Sequence, residues 1–211
     1  MNDISLFSQF WNIAVLHIGV VMWPGPNLTL VAKNSVTLQL RFALYCTLGI
    51  AIGTIAHVSL ALVGVSGIVA ASPVMYRVLQ VIGAGYLIYV GTKAIRAMPY
   101  RLEEEVGAAK QTRTAHGAFR EGFTNQMTNP KSYFFFFTLF TQVVGETPVG
   151  IKVLYGLWMA TITFLWFAFV TVTLSNPLVK KRFSASIHYV ARAAGVFLIG
   201  FGIWILRSAF R

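Results

Sequence analysis

The sequence predicts an all-α membrane protein with six transmembrane helices in a 3+3 inverted repeat, in which helices 1 and 4 are broken. Three observations support this fold class. Hydrophobic residues make up 56% of the 211 residues and charged residues only 11%, whereas soluble domains carry about 25% charged residues. The mean hydropathy of +0.69 comes from long apolar stretches separated by short polar segments. Proline interrupts the first stretch in each half of the chain.

Six apolar stretches are long enough to cross a bilayer, which takes roughly 20 residues in a helix. The stretches are continuous rather than alternating, so strands of a membrane barrel are disfavoured. The first stretch does not have the pattern of a signal peptide, because it is too long and an acid, Asp3, stands where a basic segment is needed. The predicted spans are 4–32, 42–71, 74–97, 117–144, 149–174 and 187–206.

Basic residues predict the orientation of the chain. The segments after the first, third and fifth spans, with their flanks, hold 13 lysines and arginines, and the opposite side holds 4. The positive-inside rule then places the richer side in the cytoplasm and both termini outside. The net charge of +11 therefore reflects topology, and no nucleic-acid partner is expected. The segment 98–116, with its Glu103-Glu104-Glu105 run, is predicted as a solvated cytoplasmic loop within a single membrane domain, 1–211.

The chain divides into two halves, about 1–105 and 106–211, with three spans each. A shift of 111 residues aligns Gly91 with Gly202 and Arg96 with Arg207, a weak sign of an internal repeat. Because each half has an odd number of spans, the halves would cross the membrane in opposite senses. The first span of each half is interrupted, by Pro24-Gly25-Pro26-Asn27 and by Asn129-Pro130-Lys131. Paired interruptions of this kind indicate the binding site of a transporter.

The interruptions have a chemical consequence, because proline lacks an N–H group and frees the carbonyl four residues earlier. The carbonyls at stake are those of Val20, Met22 and Gln126. Unsatisfied groups in hydrocarbon cost several kcal/mol each, so broken helices face protein or a hydrated cavity. Free N–H groups at the start of one half-helix and bare carbonyls at the end of another match the carboxylate and ammonium of an amino acid. The predicted substrate-binding residues are Pro24, Gly25, Pro26, Asn27, Asn129, Pro130 and Lys131.

Within this predicted site, Asn27 and Asn129 can bond either end of a zwitterion, and Lys131 favours its carboxylate. Two simpler interpretations stay open. In the first, the prolines serve only to kink helices for packing, since neighbouring groups often re-satisfy the freed backbone. Lys131 is also suited to extending its ammonium to the cytoplasmic interface.

Two titratable residues are candidates for proton coupling. His17 lies two turns before Pro24, on the same helix face, and histidine changes charge near physiological pH. Glu121 lies at the edge of the fourth span. The alternatives are a histidine hydrogen-bonded between helices for His17 and an ion pair with a neighbouring Arg or Lys for Glu121.

Other polar and small residues have simpler interpretations. Gly49, Gly53, His57 and Ala61 recur every fourth residue, which predicts a close packing face with His57 as a buried polar contact. Span 4 is polar before its break, so that segment lines a cavity or lies at the cytoplasmic surface. Phe134 to Phe137 are expected to face lipid or fill the core. The threonines of span 5 can bond back to their own helix and are assigned no function: Thr161, Thr163, Thr171 and Thr173.

Several chemistries find no support in the sequence. The single cysteine, Cys46, excludes an internal disulfide and a zinc site built on several thiolates. The motifs of zinc proteases, serine hydrolases and phosphate-binding loops do not occur. No cofactor or metal is therefore predicted.

The sequence resembles the LysE/RhtB superfamily of bacterial amino-acid exporters over nearly its whole length, and within it the threonine-efflux branch. The resemblance rests on His17 followed by Pro24-Gly25-Pro26, and on four further motifs: Gly85-Tyr86-Leu87, Gly122-Phe123, Thr128-Asn129-Pro130-Lys131 and Gly200-Phe201-Gly202-Ile203. It implies proton-driven export of small neutral amino acids, such as threonine or homoserine, across the bacterial inner membrane. Many relatives carry an acid directly after Pro-Gly-Pro, where this chain has Asn27.

The leading hypothesis is therefore a secondary transporter and not an enzyme. Its expected partners are a small amino acid, membrane lipid, the proton as coupling ion and, in one possible arrangement, further copies of the chain. The alternative is an intramembrane enzyme or lipid-handling protein that uses His17, His57 and Lys131 as acid–base groups beside one reactive centre. A passive channel is a third possibility.

Overall fold

The computed structural model describes residues 3–97, 113–141 and 147–210, and these residues form eight α-helices. The helices are α1 (Asp3–Met22), α2 (Pro26–Thr37), α3 (Leu40–Ala71), α4 (Pro73–Ile95), α5 (Ala115–Met127), α6 (Pro130–Thr141), α7 (Val149–Ser175) and α8 (Pro177–Ala209). Most of the loop predicted at 98–116, including its glutamate run, lies outside the described residues. The described part of 113–116 leads into α5.

Four described helices, α3, α4, α7 and α8, have the length and composition to cross a membrane. The pair α1 and α2 passes the same criterion when it is counted as one span, bent by 53°. The chain is thus an all-α membrane protein with four to five recognisable spans in its described part. The pair α5 and α6 is not among these because α5 is polar, so the count of six stays a prediction.

Both predicted interruptions occur. The first lies between α1 and α2 and the second between α5 and α6. In each case a proline, Pro26 or Pro130, is the first residue of the second helix, the position where its missing N–H costs nothing. Asn129 caps α6, because its side-chain Oδ1 accepts from the Lys131 backbone N–H at 3.1 Å.

The packing face predicted in span 2 is confirmed. A Cβ atom added to Gly49 would lie 2.1 Å from the backbone oxygen of Phe119, and one added to Gly122 would lie 2.0 Å from that of Cys46. Helices α3 and α5 therefore meet at backbone contact, which only glycine at these positions permits. This close approach carries His57 to the second break.

Helices α4 and α8 also pack through glycines. A Cβ on Gly91 would meet the oxygen of Gly195 at 2.7 Å, and a Cβ on Gly202 would meet the oxygen of Ala84 at 2.9 Å. The outer surfaces of the helices are apolar, as in Val63 and Val149, which are 76% and 73% exposed. Such surfaces suit lipid. The main hydrophobic core includes residues of α1, α6 and α7.

Candidate functional site

An enclosed chamber lies where the two breaks meet. The space open to the centre of a water molecule is about 20 Å³, which is room for about one water. Six helices supply its lining: His17, Val20 and Val21 from α1, Asn27 from α2, Thr54 from α3, Gln126 from α5, Lys131, Ser132, Phe135 and Phe136 from α6, and Thr163 and Phe167 from α7.

Lys131 connects the second half of the chain to the first break. Its Nζ donates to the backbone oxygen of Val20 at 3.0 Å and, more weakly, to that of Trp23 at 3.5 Å. The Nζ also lies 5.0 Å from the centre of the Trp23 ring, within range of a cation–π interaction. The Val20 oxygen is one of the carbonyls that the prolines were predicted to free.

Asn27 makes the reciprocal connection from the first half to α5. Its Oδ1 accepts from Asn125 Nδ2 at 2.8 Å, and its Nδ2 donates to Gln126 Oε1 at 2.7 Å. Gln126 in turn donates to Thr54 Oγ1 at 3.1 Å and accepts from Ser132 Oγ at 3.2 Å. Asn27 and Gln126 are 7% and 3% exposed, so the network is buried and its members hold one another in place.

A second, open cavity of about 690 Å³ lies on the other side of this network. Asn125 lines the open cavity, whereas Asn27 and Gln126 line the chamber. The amide contacts between them therefore separate the two spaces. We refer to the open cavity as the polar cleft; its lining consists of Leu30, Arg113, Thr114, Gly117, Arg120, Glu121, Thr124, Asn125 and Thr128.

The carbonyl of Gln126, which Pro130 was predicted to free, accepts from His57 Nε2 at 2.9 Å and from the backbone N–H of Asn129 at 3.1 Å. Because a carbonyl oxygen only accepts, the hydrogen of the His57 ring belongs on Nε2. The ring is 1% exposed and packs edge-on against Tyr133, with 4.3 Å between ring centres. His57 is not among the described residues that line the chamber, so it acts as the predicted polar contact between helices.

His17 lines the chamber and is 1% exposed. Its Nε2 contacts the Met159 oxygen at 3.0 Å and Thr163 Oγ1 at 3.2 Å. Its Nδ1 has no hydrogen-bond partner in the described part of the chain. The expectation that Thr163 only bonds back to its own helix is thus wrong, because this hydroxyl faces α1 across the chamber.

Glu121 lies apart from the chamber, in the polar cleft. It forms an ion pair with Arg113 and accepts from Asn34 Nδ2 at 3.2 Å. The arrangement corresponds to the alternative interpretation, an acid paired with a basic neighbour.

The predicted site residues divide into three groups. Asn27, Lys131 and His17 line the chamber. Pro24, Gly25, Pro26 and Pro130 form the breaks without lining it, and buried Asn129 caps α6 with its Nδ2 left unpaired in the described structure. Sequence reasoning did not assign four further lining residues that carry polar side chains to the site: Thr54, Gln126, Ser132 and Thr163. In the sequence, only their neighbours could have pointed to two of them, since Thr54 follows Gly53 and Ser132 follows Lys131.

The described residues hold no cluster of three or more His, Cys, Asp or Glu side chains suited to a metal ion. The polar groups of the chamber are amides, hydroxyls, an imidazole, an ammonium and backbone carbonyls. This donor and acceptor set suits a small polar organic molecule.

Comparison with known proteins is consistent with this architecture. The chain is 27% identical over 203 residues to the threonine efflux protein of Escherichia coli (strain K12), covering 94% of this chain and 98% of that protein. It is 26% identical over 198 residues to the leucine efflux protein of Salmonella choleraesuis (strain SC-B67), covering 92% of each. No solved structure matches the chain.

A family model, that of the LysE type translocators, matches residues 18–209. This range contains both breaks and nearly all of the chamber, and it covers most of the chain. The resemblance found in the sequence is thereby confirmed, and the interpretation as an intramembrane enzyme is rejected. The chain belongs to the LysE type translocators.

Proposed function

We propose that this protein exports a neutral amino acid of the threonine or homoserine type from the cytoplasm, by alternating access and at the expense of the proton gradient. One observation carries the proposal: the two chain breaks supply backbone and side-chain polar groups to the same buried chamber. The relatives named as threonine and leucine efflux proteins support an amino acid as substrate. They also support a multi-pass protein of the bacterial inner membrane.

The proposed binding site uses the breaks and their flanking side chains. Pro24, Gly25, Pro26 and Pro130 shape the backbone at the two breaks, where one helix ends and the next begins. Asn27 and Asn129 bond the zwitterion, and the unpaired Nδ2 of Asn129 leaves a donor for it. Lys131 bonds the carboxylate. The missing acid after Pro-Gly-Pro favours a neutral substrate over a basic one, since Asn27 adds no negative charge.

Reciprocal contacts between α4 and α8 support the inverted repeat. Gly91 meets Gly195 and Ile199, and Gly202 meets Ala84 and Ile88. The two sets of contacts correspond under the shift of 111 residues, which pairs Gly91 with Gly202, Ala84 with Gly195 and Ile88 with Ile199. Such reciprocity is what a twofold axis between two related halves produces, and an axis in the membrane plane is typical of inverted repeats.

The small volume of the chamber supports an occluded state of an alternating-access cycle. Space for about one water excludes an amino acid unless the walls separate. The network of Asn27, Asn125 and Gln126 is the wall toward the polar cleft. In the predicted topology, with both termini outside, that cleft opens toward the cytoplasm, so these amides are the inner barrier that a substrate crosses first.

His17 is the proposed proton carrier, with Glu121 as second candidate. His17 is favoured because it lines the chamber and has a bare Nδ1, whereas Glu121 is already paired with Arg113. The driving force suffices, since one charge that crosses about 100 mV supplies roughly 2.3 kcal/mol. That energy sustains about a 50-fold gradient of substrate.

Proteoliposomes with an imposed pH gradient test the proposal. Labelled threonine, homoserine and lysine are offered in turn, and uphill movement of threonine or homoserine is expected. Movement only down its own gradient would indicate a passive channel, and no movement of any of the three would refute the proposed function.

The site assignment is tested in the same assay. Asn27→Ala and Pro130→Ala are expected to reduce transport at least about tenfold, because each removes a polar contact or a break at the chamber. Lys33→Ala, at an exposed lysine of α2, is the control for insertion and folding. Unchanged transport in both site variants would contradict the assignment.

A further inference from the structure

The positive charge of the Lys131 ammonium is compensated by backbone carbonyls and an aromatic ring. It lies against two backbone carbonyls and an aromatic ring, those of Val20 and Trp23. The carboxylate of Glu121 is held by Arg113 in the polar cleft. Lys131 therefore has carbonyl dipoles and a ring face as its described partners in place of a carboxylate.

Lys131 contacts the first break in the way that a bound ammonium ligand would. The Val20 carbonyl lacks its helical partner, since the residue four positions later is Pro24. The ammonium also packs beside Gly25, where a Cβ would lie 3.4 Å from Lys131 Nζ, an ordinary contact distance. Carbonyl acceptors beside the face of a tryptophan ring are the groups that recognise an ammonium ion.

The substrate proposed above carries the same chemical group. The lysine side chain and an α-amino acid both end in a primary ammonium with three donors. A carbonyl pair that accepts one of them accepts the other, and the two cannot occupy it together. The chamber wall thus contains an acceptor site that the protein fills with its own cation.

We propose that the Val20 and Trp23 carbonyls, with the Trp23 ring, form a binding site for a primary ammonium group, and that Lys131 occupies it as a tethered stand-in until substrate arrives. This inference rests on the proposed function and names the subsite for one end of the substrate. When the substrate ammonium takes the carbonyls, the Lys131 ammonium is released beside it. The released charge then meets the substrate carboxylate, which gives Lys131 its predicted role.

The proposed site is tested by removing the Lys131 side chain and offering a small primary ammonium ion in its place. In purified Lys131→Ala protein, ethylammonium is expected to raise the melting temperature in a saturable way, because it fills the vacated carbonyls. Tetramethylammonium, which has the charge but no N–H donor, is expected to have no such effect. Wild-type protein and the Lys33→Ala control are expected to respond to ethylammonium only at about tenfold higher concentration, since the ion must first displace Lys131, and not to tetramethylammonium. No response of Lys131→Ala to ethylammonium, or an equal response of all three proteins, would overturn the proposal.

A second comparison covers the case in which Lys131→Ala does not fold. Lys131→Met keeps most of the apolar stem, and its affinity for 1-amino-2-propanol, an amine without a carboxylate, is compared with that of wild type. Wild type is expected to bind this amine about tenfold more weakly, because the amine must displace Lys131 and offers the released charge no partner. Equal affinities would overturn the proposal.

The two proposals fail in different experiments. Neither amine titration involves transport or an amino acid. A protein that moves threonine uphill, but whose Lys131 variants do not bind amines better than wild type, retains its function and loses this subsite. A protein that moves no amino acid, but whose Lys131 variants bind amines as expected, retains the subsite and loses the function.

Discussion

The two chain breaks share the same backbone pattern, but different kinds of side chain contact the carbonyl that each one exposes. Each places a proline at the first position of a helix and exposes a carbonyl at the end of the preceding one. At the first break the Val20 carbonyl is contacted by Lys131, a long side chain that is only partly buried. At the second break the Gln126 carbonyl is contacted by His57, which is 1% exposed. The first acceptor is exchangeable and the second is fixed.

The surroundings of each break explain the difference. The His57 ring is held between Tyr133 and Phe136, with ring centres 4.3 Å and 5.9 Å away, and α3 approaches α5 at backbone contact through its glycines. Lys131 has four methylene groups with which to withdraw, and the chamber lies beside it. The ammonium site proposed above thus lies at the break whose covering side chain has room to withdraw.

The largest expected change in stability comes from disrupting the contact between α3 and α5 at the second break. Gly122→Ala places a Cβ 2.0 Å from the backbone oxygen of Cys46, and backbone cannot yield as a side chain does. We expect destabilisation of about 3 kcal/mol or more, seen as a lower melting temperature in detergent. Gly85→Ala is the matched control because its Cβ meets nothing within 4 Å. Equal melting temperatures for the two variants would show that α3 and α5 do not pack as described.

A smaller effect is expected when His57 is removed. His57→Ala removes one of the two donors to the Gln126 carbonyl and leaves the Asn129 backbone N–H as the other, at a cost of about 0.5–1.5 kcal/mol for the lost bond. Because the Gln126 side chain holds Asn27, transport should fall together with stability. His57→Gln keeps an N–H donor and is expected to recover part of both. If His57→Ala matched wild type in melting temperature and transport, the second break would not be fixed by this contact.

The smallest effect is expected from adding one methyl group at the first break. Gly25→Ala brings a Cβ to 3.4 Å from Lys131 Nζ, a contact that a flexible side chain accommodates, at a backbone φ of −166° that any residue adopts. We expect a change in stability below about 1 kcal/mol.

The same substitution at the second break sharpens the comparison. Gly53→Ala brings a Cβ to 2.7 Å from the side chain of Gln126, so its melting temperature should drop by more than that of Gly25→Ala. The reverse order of the two melting temperatures would contradict the assignment of an adaptable and a fixed break.

The positions of the breaks were predictable from the sequence, because proline acts on its own backbone within four residues. The packing face of span 2 was predictable for a similar reason, since a period of four residues defines one side of a helix. The bounds of α7 (Val149–Ser175) agree with the predicted 149–174, whereas α8 begins at Pro177, ten residues before the predicted 187.

The partners of the polar side chains were not predictable from local sequence. The contact of Lys131 with Val20 joins residues 111 positions apart, and that of His17 with Thr163 joins residues 146 apart. Their meeting depends on how the helices fold back on each other. The sequence around Thr163 is that of any threonine that bonds its own helix. Nothing local distinguishes Gln126 from the other polar residues of α5, although its side chain bonds Asn27, Thr54 and Ser132.

A structure of the protein with threonine bound tests the central claim most directly. The account predicts the amino acid in the chamber between the two breaks, with its ammonium on the Val20 carbonyl and Lys131 turned toward its carboxylate. Threonine bound in the polar cleft, with Lys131 still on Val20 and the chamber empty, would contradict it.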